Sequence, residues 1–123
     1  MKYILIDDDP IINLVHKKVI KKMDEEAEIT DFISGKMALN YLKNNTPRQN
    51  EIVLLDINMP EMNGFEFLES LLKNKDIDAN NLNIFILTSS LNSKDKEEAT
   101  KFPILKGYLE KPLDINNLKH LIS

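Results

Sequence analysis

Five short apolar runs punctuate the chain: Tyr3–Ile6, Ala27–Phe32, Ile52–Leu55, Ile84–Leu87 and Gly107–Leu109. The first, third and fourth are nearly continuous Ile, Leu, Val, Phe and Tyr, as in strands buried on both faces of a parallel sheet. The second alternates, as an edge strand does, and the fifth is the shortest. Between the runs the spacing becomes helical. In Pro10–Met23, Ile12, Val15, Val19 and Met23 recur every three or four residues. Asp9 is placed to cap this helix, and Pro10 suits its first position. Ser34 opens a second helix carrying Met37, Ala38, Tyr41 and Leu42. Asn63-Gly64 opens a third, with Phe65, Leu68, Leu71 and Leu72 on one face and Gly64 read as turn chemistry. Ser93 opens a fourth, charged and poor in apolar residues, and Asp114 a fifth with Ile115, Leu118, Leu121 and Ile122. Asn44–Glu51 and Asn74–Asn83 read as polar loops, the second long and mobile.

Strand and helix thus alternate five times. That pattern predicts an α/β fold: a five-stranded, doubly wound parallel sheet, (βα)5, with right-handed crossovers and helices on both faces. The length of 123 residues is one domain's worth. With 42% hydrophobic and 29% charged residues the composition is that of an ordinary globular protein. A formal net charge of −4 repels phosphate backbones, so direct nucleic-acid binding is not expected. The absence of Cys excludes disulfides, thiolate zinc sites and a Cys nucleophile. No apolar run is long enough for a signal-peptide core or a membrane span, so a cytoplasmic, membrane-free protein is expected; a monomer is expected as well.

In an open α/β sheet the functional groups gather at the carboxyl ends of the strands. After the first run come Asp7, Asp8 and Asp9; after the third, Asp56; after the fourth, Thr88, Ser89 and Ser90; after the fifth, Lys111-Pro112. Four of five strand ends therefore deliver acid, acid, hydroxyl and amine to one rim. Two like charges about 4 Å apart repel by ~4 kcal/mol at an effective dielectric near 20, so the acids need a cation. Mg²⁺ fits that need, because it takes hard oxygen ligands and binds through a few carboxylates plus a phosphate. A carboxylate beside Mg²⁺ and Lys111 is a plausible nucleophile toward phosphorus, giving an aspartyl phosphate.

The segments Ile4–Pro10, Leu55–Gly64 (with its Asp-x-x-Met-Pro-x-Met-x-Gly pattern), Leu87-Thr88-Ser89 and Tyr108–Pro112 together resemble the receiver domain of bacterial response regulators (the CheY-like superfamily). The resemblance covers residues 1–123. It implies a flavodoxin-like strand order of 2-1-3-4-5, which spacing alone does not give. It implies Asp56 as the phosphoacceptor, and Asp7, Asp8, Asp56 and the Asn58 backbone carbonyl as Mg²⁺ ligands. Thr88 is then the hydroxyl that turns toward the phosphoryl group, Lys111 its cationic partner, Ser89 the small residue that keeps it accessible, and Tyr108 the aromatic that swings inward. Lys111-Pro112 is expected to be a cis peptide. Asn58 and Ser90 fall at positions that tune phosphoryl lifetime in the family. The partners implied are a sensor histidine kinase or histidine phosphotransfer protein, docking on Ile12 and Val15, and either a downstream protein bound by the face of helix four, strand five and helix five or a next carrier to which the phosphoryl group is relayed.

The loop before the fourth strand is longer than the family's usual one. No output domain follows the fifth helix, so a stand-alone receiver that is not an enzyme in its own right is expected. Two other readings remain open on the residues: a receiver-like binding module that is never phosphorylated, and a phosphohydrolase using the Asp7-x-Asp9 spacing. A flavin-binding protein fits poorly, because acids rather than a phosphate-cradling loop follow the first strand. His16 and His120 read as solvated surface residues, and the lysines at 17, 18, 21 and 22 as a solvated basic end of helix one, favourable for its dipole.

Overall fold

The computed structural model describes residues 1–45, 47, 50–89 and 92–122, without the side chains of 121 and 122. Ser90 and the side chains of Leu121 and Ile122, singled out from sequence, lie outside the described residues. The strands are β1 (Lys2–Ile6), β2 (Glu28–Phe32), β3 (Glu51–Leu55), β4 (Leu82–Thr88) and β5 (Leu105–Glu110). The helices are α1 (Pro10–Met23), α2 (Gly35–Asn44), α3 (Gly64–Lys73), α4 (Ser93–Ala99) and α5 (Ile115–Ile122). The sheet is parallel throughout, in the order β2-β1-β3-β4-β5. Ile4 pairs with Thr30 on one side and Val53 on the other, which fixes which side chains share a face.

Alternation along the strands divides the core in two. On one face Ile4, Ile6, Val53, Leu55, Ile84 and Ile86 pack with Leu42 of α2 and Phe67, Leu68 and Leu71 of α3. On the other, Tyr3, Leu5, Leu54, Phe85 and Leu87 pack with Ile20 of α1 and Leu118 of α5. Each fully buried large apolar side chain contributes roughly 1.5–3 kcal/mol relative to exposure, so both layers hold the sheet rigid under its carboxyl rim.

Several local expectations are revised. The buried line of α1 runs through Asn13, His16 and Ile20, whereas Val15 is 44% exposed and Ile12 half-buried. His16, read as a surface residue, is 2% exposed. The three positions share one helical face, spaced three and four apart, and the polar pair lies where α1 passes the sheet's carboxyl end. In α3, Phe67 is buried and Leu72 half-exposed. The segment read as the loop Asn74–Asn83 contains a 3₁₀ turn at Ala79–Asn81, and β4 takes in Leu82 and Asn83. Asn81 Nδ2 donates to the Pro47 carbonyl (2.9 Å), tying that turn to the loop before β3.

Candidate functional site

Backbone hydrogen bonds set the rim. The Asp7 amide donates to the Phe32 carbonyl (3.1 Å), holding the end of β1 against β2. The Asp56 amide donates to the Ile6 carbonyl (2.9 Å), so Asp56 leaves β3 beside the β1 acids. The Lys111 amide donates to the Thr88 carbonyl (2.7 Å), which brings the turn after β5 to the end of β4. Residues from four strand ends therefore converge, as the alternating pattern implies.

Asp7, Asp8 and Asp56 each offer a carboxylate oxygen, all within 4.8 Å of one another. Asp7 and Asp56 are 4% and 5% exposed, while Asp8 faces solvent. Lys111 Nζ donates to Asp7 Oδ2 at 2.5 Å and stands 3.4 Å from Asp56 Oδ1. Asp7 Oδ1 accepts from the Asp9 amide (3.0 Å), so both oxygens of Asp7 are engaged. Asp9 itself caps α1, accepting from the Ile11 amide (2.9 Å). Burial pushes the Asp56 carboxyl up; Lys111 pulls it down, Asp7 pushes it up again, and the Asn58 N–H pulls down, with a net rise. Burial works against the Lys111 charge, but the Asp7 hydrogen bond and the Asp56 and Asp7 charges outweigh it, and its value is raised.

Three carboxylates face a single ammonium here, and every donor is a hard oxygen. That set suits Mg²⁺ better than a softer metal, and a solvent-facing Asp8 leaves room for the waters Mg²⁺ keeps. Thr88 is fully buried, and its hydroxyl has no hydrogen-bond partner among the described residues. Ser89 and Asn58 are exposed at the rim. Tyr108 is 45% exposed and lies on the outer face of β5. The Lys111-Pro112 peptide is cis.

The loop after Asp56 is shaped by two backbone devices. Met62 N–H donates to the Pro60 carbonyl (2.7 Å) across Glu61, whose φ of 66° places a non-glycine residue in the left-handed region. Gly64 has no such φ, contrary to its reading as turn chemistry. A Cβ on Gly64 would lie 2.6 Å from the Asp56 carbonyl oxygen and 2.9 Å from Ile57 Cα, so close approach is what demands glycine. Asn63 caps α3 reciprocally with Glu66 (2.9 and 3.0 Å), anchoring the loop's far end.

Sequence reasoning missed Asn13 and His16. Asn13 Nδ2 donates to the Asp7 carbonyl (3.0 Å) and the Phe32 carbonyl (3.3 Å). His16 lines a small void with Asn13, Asp7 and Asp56. Burial holds the His16 imidazole below its usual range, Lys111 adds to that, and Asp7 opposes it. Their phase with Ile20 was the available signal. Beside the predicted docking pair, Ile11 and Leu14 are also exposed, so the apolar surface of α1 next to the rim is Ile11, Leu14 and Val15, with Ile12 at its margin.

Comparison with known proteins returns one family. The pattern of the response regulator receiver domain matches residues 3–123. An uncharacterised response regulatory protein of Staphylococcus epidermidis is 30% identical over 122 residues, 99% of this chain and 45% of its own length. A probable histidine kinase 3 of Oryza sativa is 44% identical over 66 residues, 53% of this chain and 6% of that protein. The chain thus spans less than half the length of these relatives. Among solved structures, a two-component response regulator from Cytophaga hutchinsonii superposes with a TM-score of 0.87 at 31% identity, covering 98% of this chain and 92% of that one. A response regulator receiver protein from Dyadobacter fermentans gives 0.86 at 27%, covering 99% and 94%.

Proposed function

The chain belongs to the response regulator receiver family, and from that premise we propose that Asp56 is its phosphoacceptor. An Asp56 oxygen attacks the phosphorus of a phosphohistidine on a sensor kinase or phosphotransfer protein. The P–O bond forms as the P–N bond breaks, and the nitrogen keeps the electron pair. The observation that carries this reading is the placement of a buried Asp56 within reach of both Lys111 and the two β1 acids. Asp7, Asp8, Asp56 and the Asn58 carbonyl are the residues that would hold Mg²⁺, which when bound would offset negative charge on the transferring oxygens.

The protein's own groups do the rest. Lys111 draws one phosphoryl oxygen toward the ammonium it now shares between Asp7 and Asp56. The unpartnered Thr88 hydroxyl has a hydrogen bond to offer, and a phosphoryl oxygen would accept it. Ser89, small and exposed, leaves the approach open. Tyr108, outward here, turns inward once Thr88 moves, and that shift alters the face of α4, β5 and α5 that a downstream protein reads. The histidine-bearing partner docks on the apolar surface of α1 that includes Val15 and Ile12. The domain acts as an acceptor and not as a hydrolase of separate substrates. Two observations support this: Asp9 is occupied in capping α1 and Asp7 in pairing with Lys111.

Intact-protein mass after incubation with acetyl phosphate tests the proposal. A gain of one phosphoryl group that requires Mg²⁺ and disappears in Asp56→Asn is expected. An adduct retained in Asp56→Asn would overturn the assignment.

A further inference from the structure

We infer that Asn13 is a positioning residue for the metal-binding acids, acting through the peptide between Asp7 and Asp8; this rests on the reading of those acids as a Mg²⁺ site. Asn13 is fully buried on the first turns of α1. Its Nδ2 donates to the Asp7 carbonyl at 3.0 Å and to the Phe32 carbonyl at 3.3 Å. Phe32 O also accepts from the Asp7 amide (3.1 Å), so one side chain joins the ends of β1 and β2 to α1. The Asp7 carbonyl lies in the plane of the Asp7–Asp8 peptide. Fixing that carbonyl fixes the plane, and with it the direction in which Asp8 departs.

Asp8 needs this control more than its neighbours do. Both Asp7 oxygens are engaged and Asp56 is buried beside Lys111, but Asp8 faces solvent and no hydrogen bond of its carboxylate is found among the described residues. Its aim depends on its backbone. Folding by itself gains little from an amide at position 13, because Asn13 Oδ1 is buried with no partner among the described residues. A leucine, with the same branching and bulkier methyl ends, would exchange that orphan oxygen for a freed Asp7 carbonyl. The two are comparable losses, so stability and metal affinity can be separated by experiment.

Mg²⁺ affinity by calorimetry and Mg²⁺-free thermal melting are measured on wild type, Asn13→Leu and Asn13→Ser. Outer residues that orient metal ligands typically govern affinity by about 10–100-fold. The expected result is a folded Asn13→Leu with a melting midpoint near that of wild type, a Mg²⁺ Kd raised about tenfold, and phosphoryl uptake restored at saturating Mg²⁺. A folded variant with a Kd within about twofold of wild type overturns the inference. If neither variant folds, NMR of the wild type decides: the Asn13 side-chain amide protons must be protected from solvent exchange, and rapid exchange overturns the inference. Wild type that binds no Mg²⁺ at millimolar concentration sinks the metal reading itself, which the wild-type control reveals separately.

Discussion

Tyr3 is the largest fully buried side chain, and its hydroxyl finds no hydrogen-bond partner among the described residues. Burial pushes its phenol up, and Asp24 adds to the shift. The sign follows directly. Below the unfolded-state value near pH 10 both states keep the proton, and above it only the unfolded chain loses it, so stability falls as pH rises through and beyond 10. Tyr3→Phe should raise the melting midpoint at pH 7 by roughly 4 °C, about 1 kcal/mol, and flatten the loss between pH 9 and 11 relative to wild type. Parallel melting curves for the two proteins across that range would refute the assignment. At this scale the sequence was legible wherever a residue's chemistry matched its place in a strand-end pattern. Asp7, Asp8, Asp56, Thr88 and Lys111 are examples. It was not legible where burial contradicted polarity. Asn13 and His16 look like solvent residues one at a time, and only the helical phase of Ile20 puts them inward.

The loop between β3 and α3 shows what an element demands of its sequence. Asn63 and Glu66 fix where α3 starts, Glu61 turns the chain, and Gly64 lets the helix start lie against the Asp56 backbone. Gly64→Ala must displace Asp56 or Ile57, since a Cβ at 2.6 Å cannot be accommodated by a side-chain rotation. We expect a loss of about 1–3 kcal/mol in urea denaturation. Phosphoryl uptake should slow on the order of ten- to a hundredfold, because the proposed nucleophile moves with its backbone. Uptake at the wild-type rate would show that the approach has slack. Element order, strand number and the caps at Asp9, Ser34 and Asn63 could be read from the chain. Strand extents could not: β3 begins at a buried Glu51, paired at 3.7 Å with Lys2, and β4 begins at Leu82 among asparagines. Pairing with neighbouring strands, not local composition, decides those ends.

At the scale of the molecule, three carboxylates and one ammonium share a rim backed by two apolar layers. A bound cation should therefore stabilise the whole fold. Mg²⁺ at a hundred times its Kd should add about 2.7 kcal/mol and raise the melting midpoint, chelator should reverse the gain, and Asp8→Asn should blunt it. A midpoint indifferent to Mg²⁺ would contradict the arrangement. Among the described residues no helix is long and apolar enough to cross a membrane. The pair Lys111–Asp7 joins residues 104 positions apart. A chain growing from its first residue carries its acids long before the lysine that answers them. Lys111 follows β5, so the cluster lacks its ammonium until that strand has been made. On the acceptor role proposed for Asp56, competence to receive a phosphoryl group is then a late event in the life of each new molecule, and a half-made copy lacks it.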